Sequence, residues 1–187
     1  NELRRMVKTS LLINDRPSSF RFPRGYGTGI NIDYEGLEPL EVGKGKIIQE
    51  GNSVAIINFG ARLQACKEAL VKLNSVGCSA TLVDARFVKP LDEGLITKII
   101  DNHEFVITIE EGSIGGFSSA VLNFVHNKKT TPNRSIVKNI IFPDRFIDHN
   151  SSENQYKEMG MNADSIVNQI LTLINSDVIS FSKYYKK

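Results

Sequence analysis

From about residue 40 onward, short apolar runs alternate with stretches of helical spacing, and this alternation narrows the possible folds most sharply. Phe105 to Ile109 is apolar almost without interruption, as expected of a strand covered on both faces. Ser53 to Phe59, Ser79 to Asp84 and Ile136 to Phe142 read as further strands. Ala61 to Ser75 is helical, with Ala65, Ala69, Leu70, Leu73 and Val76 inward. Asp92 to Asp101 turns Leu95, Ile96, Ile99 and Ile100 to one side, and Gly116 to His126 and Ala163 to Ile174 complete the helices. Strands alternating with helices at short intervals predict an α/β fold, a mostly parallel sheet flanked by helices. Lys46 to Gln49 is joined to the next strand by Glu50-Gly51-Asn52, which predicts a hairpin and so one antiparallel edge strand.

The first 40 residues read differently. Residues 1 to 13 form an amphipathic helical pattern with Leu3, Met6, Val7 and Leu11 to Ile13 on its apolar side, broken by Asn14-Asp15-Arg16-Pro17. Ser18 to Phe22 reads as a strand. A connector to about Pro39 follows, carrying Gly25, Gly27, Gly29 and Gly36. No helical pattern follows those glycines, so a linker between domains is the better reading than a phosphate loop. The division is therefore 1–35, the end of one domain plus linker; 40–176, an α/β domain; and 177–187, a tail. The chain opens in a helical pattern without a cap, as the tail of a longer protein would.

Charge and cysteine usage exclude several classes. A formal net charge of +2 over 187 residues is too small to argue for nucleic acid. No apolar run approaches the roughly 20 residues of a membrane span, and no signal or transit peptide stands at the start. Cys66 and Cys78 fit neither a metal spacing nor a disulfide framework and read as reduced core residues. The sequons at Asn133 and Asn150 read as chance matches.

Four segments carry candidate chemistry. In Phe20-Arg21-Phe22-Pro23-Arg24-Gly25, Pro23 stops ladder pairing and Gly25 allows a sharp turn, leaving the Arg24 guanidinium at a strand tip. Such a fork can grip a phosphate, although most strand-closing arginines are simply solvated. Glu110-Glu111-Gly112-Ser113-Ile114-Gly115-Gly116-Phe117 joins a buried strand to a helix start. Its free amides could hold an anion, but the preferred reading is a tight turn in which Glu110 caps amides or meets a basic partner. Neighbouring strand-end residues point apart, so Glu110 and Glu111 should not form one site. In Asp84-Ala85-Arg86-Phe87-Val88-Lys89-Pro90-Leu91-Asp92, Asp92 can cap the next helix. Arg86 lies where open α/β sheets bind ligands, with an ion pair to Asp84 or Glu110 as the plainer alternative. His149 in Phe142 to Asn150 lacks a nucleophile at a recognisable spacing and reads as a loop histidine beside a helix cap; His103 and His126 read as structural.

Taken in order, these motifs, with Gly43-Lys44-Gly45 and Pro143-Asp144-Arg145-Phe146-Ile147-Asp148-His149, closely resemble the C-terminal part of the 1-deoxy-D-xylulose 5-phosphate synthases over about residues 1 to 175. The wording is closer to plastid-type members, which implies an apicoplast or chloroplast, with bacterial cytoplasm as the other possibility. The resemblance implies a transketolase C-terminal domain preceded by the end of a pyrimidine-binding domain. It further implies a homodimer whose full-length form condenses pyruvate with glyceraldehyde 3-phosphate. The family holds thiamine diphosphate and magnesium through a Gly-Asp-Gly motif, histidines and a glutamate that do not occur here. No cofactor, metal or catalytic residue is therefore expected in this stretch, which alone should be inactive. One role carries over: Arg24 corresponds to the arginine that contacts the substrate phosphate, with Arg21 in a supporting ion pair.

Other readings compete. Transketolase itself, or the β subunit of a 2-oxo acid dehydrogenase, shares the Gly-Gly helix start. A non-catalytic dimerisation or regulatory module is a second class. A free-standing nucleotide-binding protein is a third, disfavoured by the missing Gly-x-Gly-x-x-Gly after the first strand.

Overall fold

The computed structural model describes residues 1–23, 27, 29, 31–32, 37–127 and 135–184, the last nine of these by backbone alone. Helix α1 (Glu2–Leu11) comes first, followed by β1 (Lys46–Gln49), β2 (Val54–Phe59), α2 (Leu63–Ser75), β3 (Ala80–Asp84), α3 (Glu93–Asn102), β4 (Phe105–Glu110), α4 (Phe117–Asn127), β5 (Ile136–Ile140), α5 (Ser152–Glu158) and α6 (Ala163–Tyr184).

Alternation within the strands builds two cores. Val54 and Ile56 of β2, Leu82 of β3 and Ile107 and Ile109 of β4 face α2 and α6, where Cys66, Leu70, Leu73, Ile166 and Ile170 close over them. Ala55 and Ile57, Val83 and Val106 point the other way, against Ile96, Ile99 and Ile100 of α3 and Phe117 and Val121 of α4. Because side chains on a strand alternate faces, strands covered on both sides must be apolar throughout. β4 is buried at all six positions. The expected α/β architecture, mostly parallel with one antiparallel edge strand and helices on both faces, is what the chain forms.

Strand order is β1-β3-β2-β4-β5, with β2 parallel to β3 and β4, and β4 parallel to β5. The antiparallel edge strand is β1, but it pairs with β3 and makes no hairpin with β2. The turn explains why. Asn52 and Ser53 donate their N–H groups to Ser79 O, and Gly51 exchanges bonds with the Thr81 hydroxyl. The chain thus crosses the start of β3, and β3 inserts between the two strands. A Cβ on Gly51 would sit 2.5 Å from the Ala80 carbonyl carbon, so the crossing needs glycine.

Four other expectations give way. Ser18 to Phe22 carries no strand. Phe20 and Phe22 stack on each other with ring centroids 6.3 Å apart, in a segment with no regular structure. Val76 is 61% exposed, because α2 ends at Ser75 and Val76 is its C-cap, past the helix face that packs on the sheet. β5 stops at Ile140 rather than Phe142, and α6 runs ten residues beyond the predicted Ile174 to Tyr184.

Candidate functional site at the carboxyl edge of the sheet

The parallel strands β2, β3 and β4 end side by side, and β3 and β4 close on the carboxylates Asp84 and Glu110. Glu110 closes β4 and is 2% exposed. Its two oxygens accept from the first amides of α4, Phe117 N at 3.0 Å and Ser118 N at 2.7 Å. Those amides are the free donors of a helix start, where a negative charge is favoured. The turn is glycine-rich for a spatial reason. A Cβ on Gly112 would lie 2.7 Å from Glu110 Oε2, and one on Gly116 would also overlap the carboxylate. Gly115 has φ +97°, a conformation L side chains rarely adopt. The α4 amides are thus satisfied from within the chain, as the preferred reading held, and are closed to an external anion.

Glu111 turns away, as strand geometry requires, and meets Arg62 with Nε to Oε1 at 2.8 Å. The Arg62 guanidinium also lies 3.3 Å from the centroid of the Tyr156 ring, in cation–π geometry. Tyr156 in turn stacks with Phe142. Burial, followed by the Glu111 carboxylate, pushes the Tyr156 hydroxyl above its usual pKa. This cluster ties the start of α2, the end of β4 and α5 together. Arg62 carried no sequence signal, because its partners Glu111 and Tyr156 stand far along the chain, Glu111 49 positions away.

At the end of β3 the chain makes an elbow. Asp84 accepts the Arg86 N–H at 3.3 Å, Ala85 N–H bonds to Asn58 O at 2.8 Å, and Arg86 takes φ +57°. Its guanidinium pairs with neither Asp84 nor Glu110. It meets Glu2 of α1, Nη2 to Oε1 at 3.0 Å and Nε to Oε2 at 2.9 Å. The left-handed backbone swings the side chain off the strand axis and toward α1, which no local pattern announced. Burial pushes the Asp84 carboxyl above the usual range, against the pull of Arg86. Asp92 caps α3 as expected, accepting from Leu95 N at 3.1 Å, and also holds Gly45 N at 3.1 Å. Gly43 and Gly45 pack so closely on this loop that added Cβ atoms would lie 2.6 Å from Pro90 and 2.8 Å from Leu95.

The remaining candidates separate. Arg24 lies outside the described residues. Arg21 is exposed and pairs with no acid among the described residues. His149 is an exposed loop residue next to the α5 cap Ser151. His103 is buried, held by Ile99 O and the Thr81 hydroxyl, and His126 is exposed at the end of α4. Cys66 and Cys78 are free and buried, and burial pushes the Cys66 thiol up to about 12. Among the described residues no group of three or more His, Cys, Asp or Glu is arranged to hold a metal ion, and no helix is long and apolar enough to cross a membrane. Asp84, Asp92, Glu110 and Glu111 are all engaged by the protein itself. These residues do not fit a diphosphate–metal site.

The fold has close structural counterparts. A split-gene transketolase, described as an inactive β4 tetramer, superposes with a TM-score of 0.62 at 26% identity, over 82% of this chain and 46% of that one. Transketolase from Campylobacter jejuni superposes with a TM-score of 0.51 at 17% identity, over 70% of this chain and 18% of that one, a likeness of fold alone. The chain therefore spans less than half the length of either protein. The family described as the transketolase C-terminal domain matches residues 43–166, from the Gly43-Lys44-Gly45 turn into α6. With well over half of its length matched, the chain belongs to the transketolase C-terminal domain family.

Proposed function

We propose that this chain is the C-terminal part of a thiamine-diphosphate-dependent synthase that condenses pyruvate with glyceraldehyde 3-phosphate to give 1-deoxy-D-xylulose 5-phosphate. The observation that carries the reading is a conjunction. A transketolase C-terminal domain is preceded by Pro23-Arg24-Gly25 and contains Arg86-Phe87-Val88-Lys89-Pro90-Leu91-Asp92, in the order and spacing of that synthase family. The start of the chain is bonded to residues that precede the sheet. Asn1 donates to Asn31 O, Arg5 to Glu38 O and Lys8 to Leu37 O, and Leu40 N donates to the Thr9 hydroxyl.

In this reading thiamine diphosphate and magnesium are held by residues outside the chain, and the chain contributes the phosphate contact of Arg24. By itself it neither binds the cofactor nor turns over substrate. The assembly is a homodimer, and the tetramer of the split-gene transketolase and the exposed Ile114 and Phe146 favour an oligomer. The plastid-type wording of the motifs favours a plastid.

The test is Arg24→Ala in the intact enzyme. Losing one charge-assisted phosphate contact, about 1.5–3 kcal/mol, raises KM for glyceraldehyde 3-phosphate about 10- to 150-fold. KM for pyruvate should stay close to its parent value. Unchanged kinetics toward the phosphorylated aldehyde refute the assignment.

A further inference from the structure

We infer that residues 143–158 form a strap, clasped by the Tyr156 ring on the Arg62 guanidinium, and that this strap is the movable wall of an open groove. None of the residues 143–158 is buried. The two ends of the strap are nevertheless fixed. Phe142 donates its N–H to Gly112 O at 2.8 Å, in the turn that leaves β4. At the other end Gly160 O accepts from Gln169 Nε2 of α6 at 2.8 Å, and Met161 is fully buried.

Between those ends the polar contacts close on the strap itself. Arg145 pairs with Glu158, Gln155 Nε2 donates to Asp148 O, and Asn154 donates to Asn150 Oδ1 and Ser151 Oγ. Tyr156 reaches out of the strap instead. The guanidinium carbon of Arg62 lies 3.3 Å from the centroid of its ring. The Arg62 side chain is 16% exposed and is itself fixed by Glu111, Nε to Oε1 at 2.8 Å. A guanidinium shielded from water gains most from a ring face. One side chain thus joins a carboxylate just past β4 to a ring on α5, and Phe142, at the root of the strap, stacks on the same ring with centroids 6.4 Å apart.

The strap supplies one side of a groove of about 380 Å³. Pro143, Arg145 and Glu158 stand on the strap, Ile114 on the turn after β4, and Phe142 and Met159 at the two roots of the strap. Releasing Tyr156 would let the strap leave as one unit, because its internal bonds travel with it, and would take that wall of the groove away. The sheet would stay closed, as in the local openings by which proteins expose a surface without unfolding. Arg62, held by Glu111, therefore sets from the sheet side whether the groove keeps its shape.

Hydrogen exchange on the intact protein tests this, with Tyr156→Leu, Arg62→Met, the double variant and Tyr156→Phe. Tyr156→Leu removes the ring and keeps an apolar side chain, whereas Tyr156→Phe keeps the ring and drops the hydroxyl. Arg62→Met also frees Glu111, so the coupling and not the single effect is decisive. Tyr156→Leu and Arg62→Met should each speed exchange of the Gln155, Met159 and Met161 amides together, about tenfold, with exchange in β2 and β4 unchanged. The double variant should add little to either, and Tyr156→Phe should exchange like the parent. Unchanged exchange at those amides in Tyr156→Leu, single effects that simply multiply in the double variant, or a Tyr156→Phe protein as open as Tyr156→Leu overturns the clasp. Should Arg62→Met also loosen β4, Arg62→Lys, which keeps the charge for Glu111 and loses the flat face over the ring, is read by the same rule.

Discussion

In the sheet domain the largest buried side chains, Ile56, Leu82, Ile107 and Phe117 among them, are closed off by helices on both faces, whereas in α1 Thr9 is buried and Leu3 and Leu11 meet solvent. The two regions share one chain and obey different energetics. The sheet domain is held by apolar area removed from water, which is non-directional and spread over many residues. Among the described residues ahead of β1, α1 is held by a few directed polar contacts, each worth little alone and each dependent on its partner. The comparison separates a scaffold from something attached to it. The polar strand-end residues of the scaffold are spent on holding turns, helix starts and the attachment itself.

The largest expected effect lies in the scaffold. Ile107→Ala on β4, fully buried between α2 and α6, should cost about 2–5 kcal/mol and lower the thermal midpoint by many degrees. A loss under about 1 kcal/mol would mean that the core does not carry the fold in the way the burial implies.

Next comes the turn that closes β4. Glu110→Ala strands two buried amides at the start of α4, at about 2–4 kcal/mol. Glu110→Gln keeps one acceptor and should recover part of it. Urea unfolding of both variants checks this. If alanine costs no more than glutamine, the carboxylate is not what satisfies those amides.

The smallest effect sits at the seam between the two regions. Burial raises the Asp84 pKa above 3.8, so the folded protein keeps this proton to higher pH than the unfolded chain. Its contribution to stability therefore falls as pH rises from 3.8 through the raised value and then levels off. Asp84→Asn keeps the acceptor for the Arg86 N–H and removes the charge, so it should gain stability relative to the parent over that window. Unfolding free energies that track the parent at every pH would sharpen the comparison the other way, by showing that the elbow tolerates the charge at no cost.

Sequence and structure agree where one residue's environment follows from its neighbours. The unbroken apolar run Phe105 to Ile109 announces a doubly covered strand, and Asp92 announces the start of α3. Glu110 was legible because the glycines and the helix start that need it lie within seven residues. Arg86 was not, since its partner stands 84 positions earlier and the elbow that aims it has no local signature in Asp84-Ala85-Arg86. The same cause hid the pairing of β1 with β3. The turn Glu50-Gly51-Asn52 reads as a hairpin, and only Ser79 and Thr81, brought in from afar, redirect it. Ser18 to Phe22 shows the reverse error, a β-rich run with no ladder to join. The residue on which the proposed chemistry depends, Arg24, was found by its motif and rests on that motif alone.

The central claim is the reaction, and substrate discrimination by the intact protein tests it most directly. Thiamine diphosphate, magnesium and either pyruvate with glyceraldehyde 3-phosphate or a ketose phosphate with an aldose phosphate would be supplied, and products read by mass. The account expects carbon dioxide and 1-deoxy-D-xylulose 5-phosphate from the first mixture and no two-carbon ketol transfer in the second. Ketol transfer without any use of pyruvate would contradict it and make the protein a transketolase in activity as well as in fold.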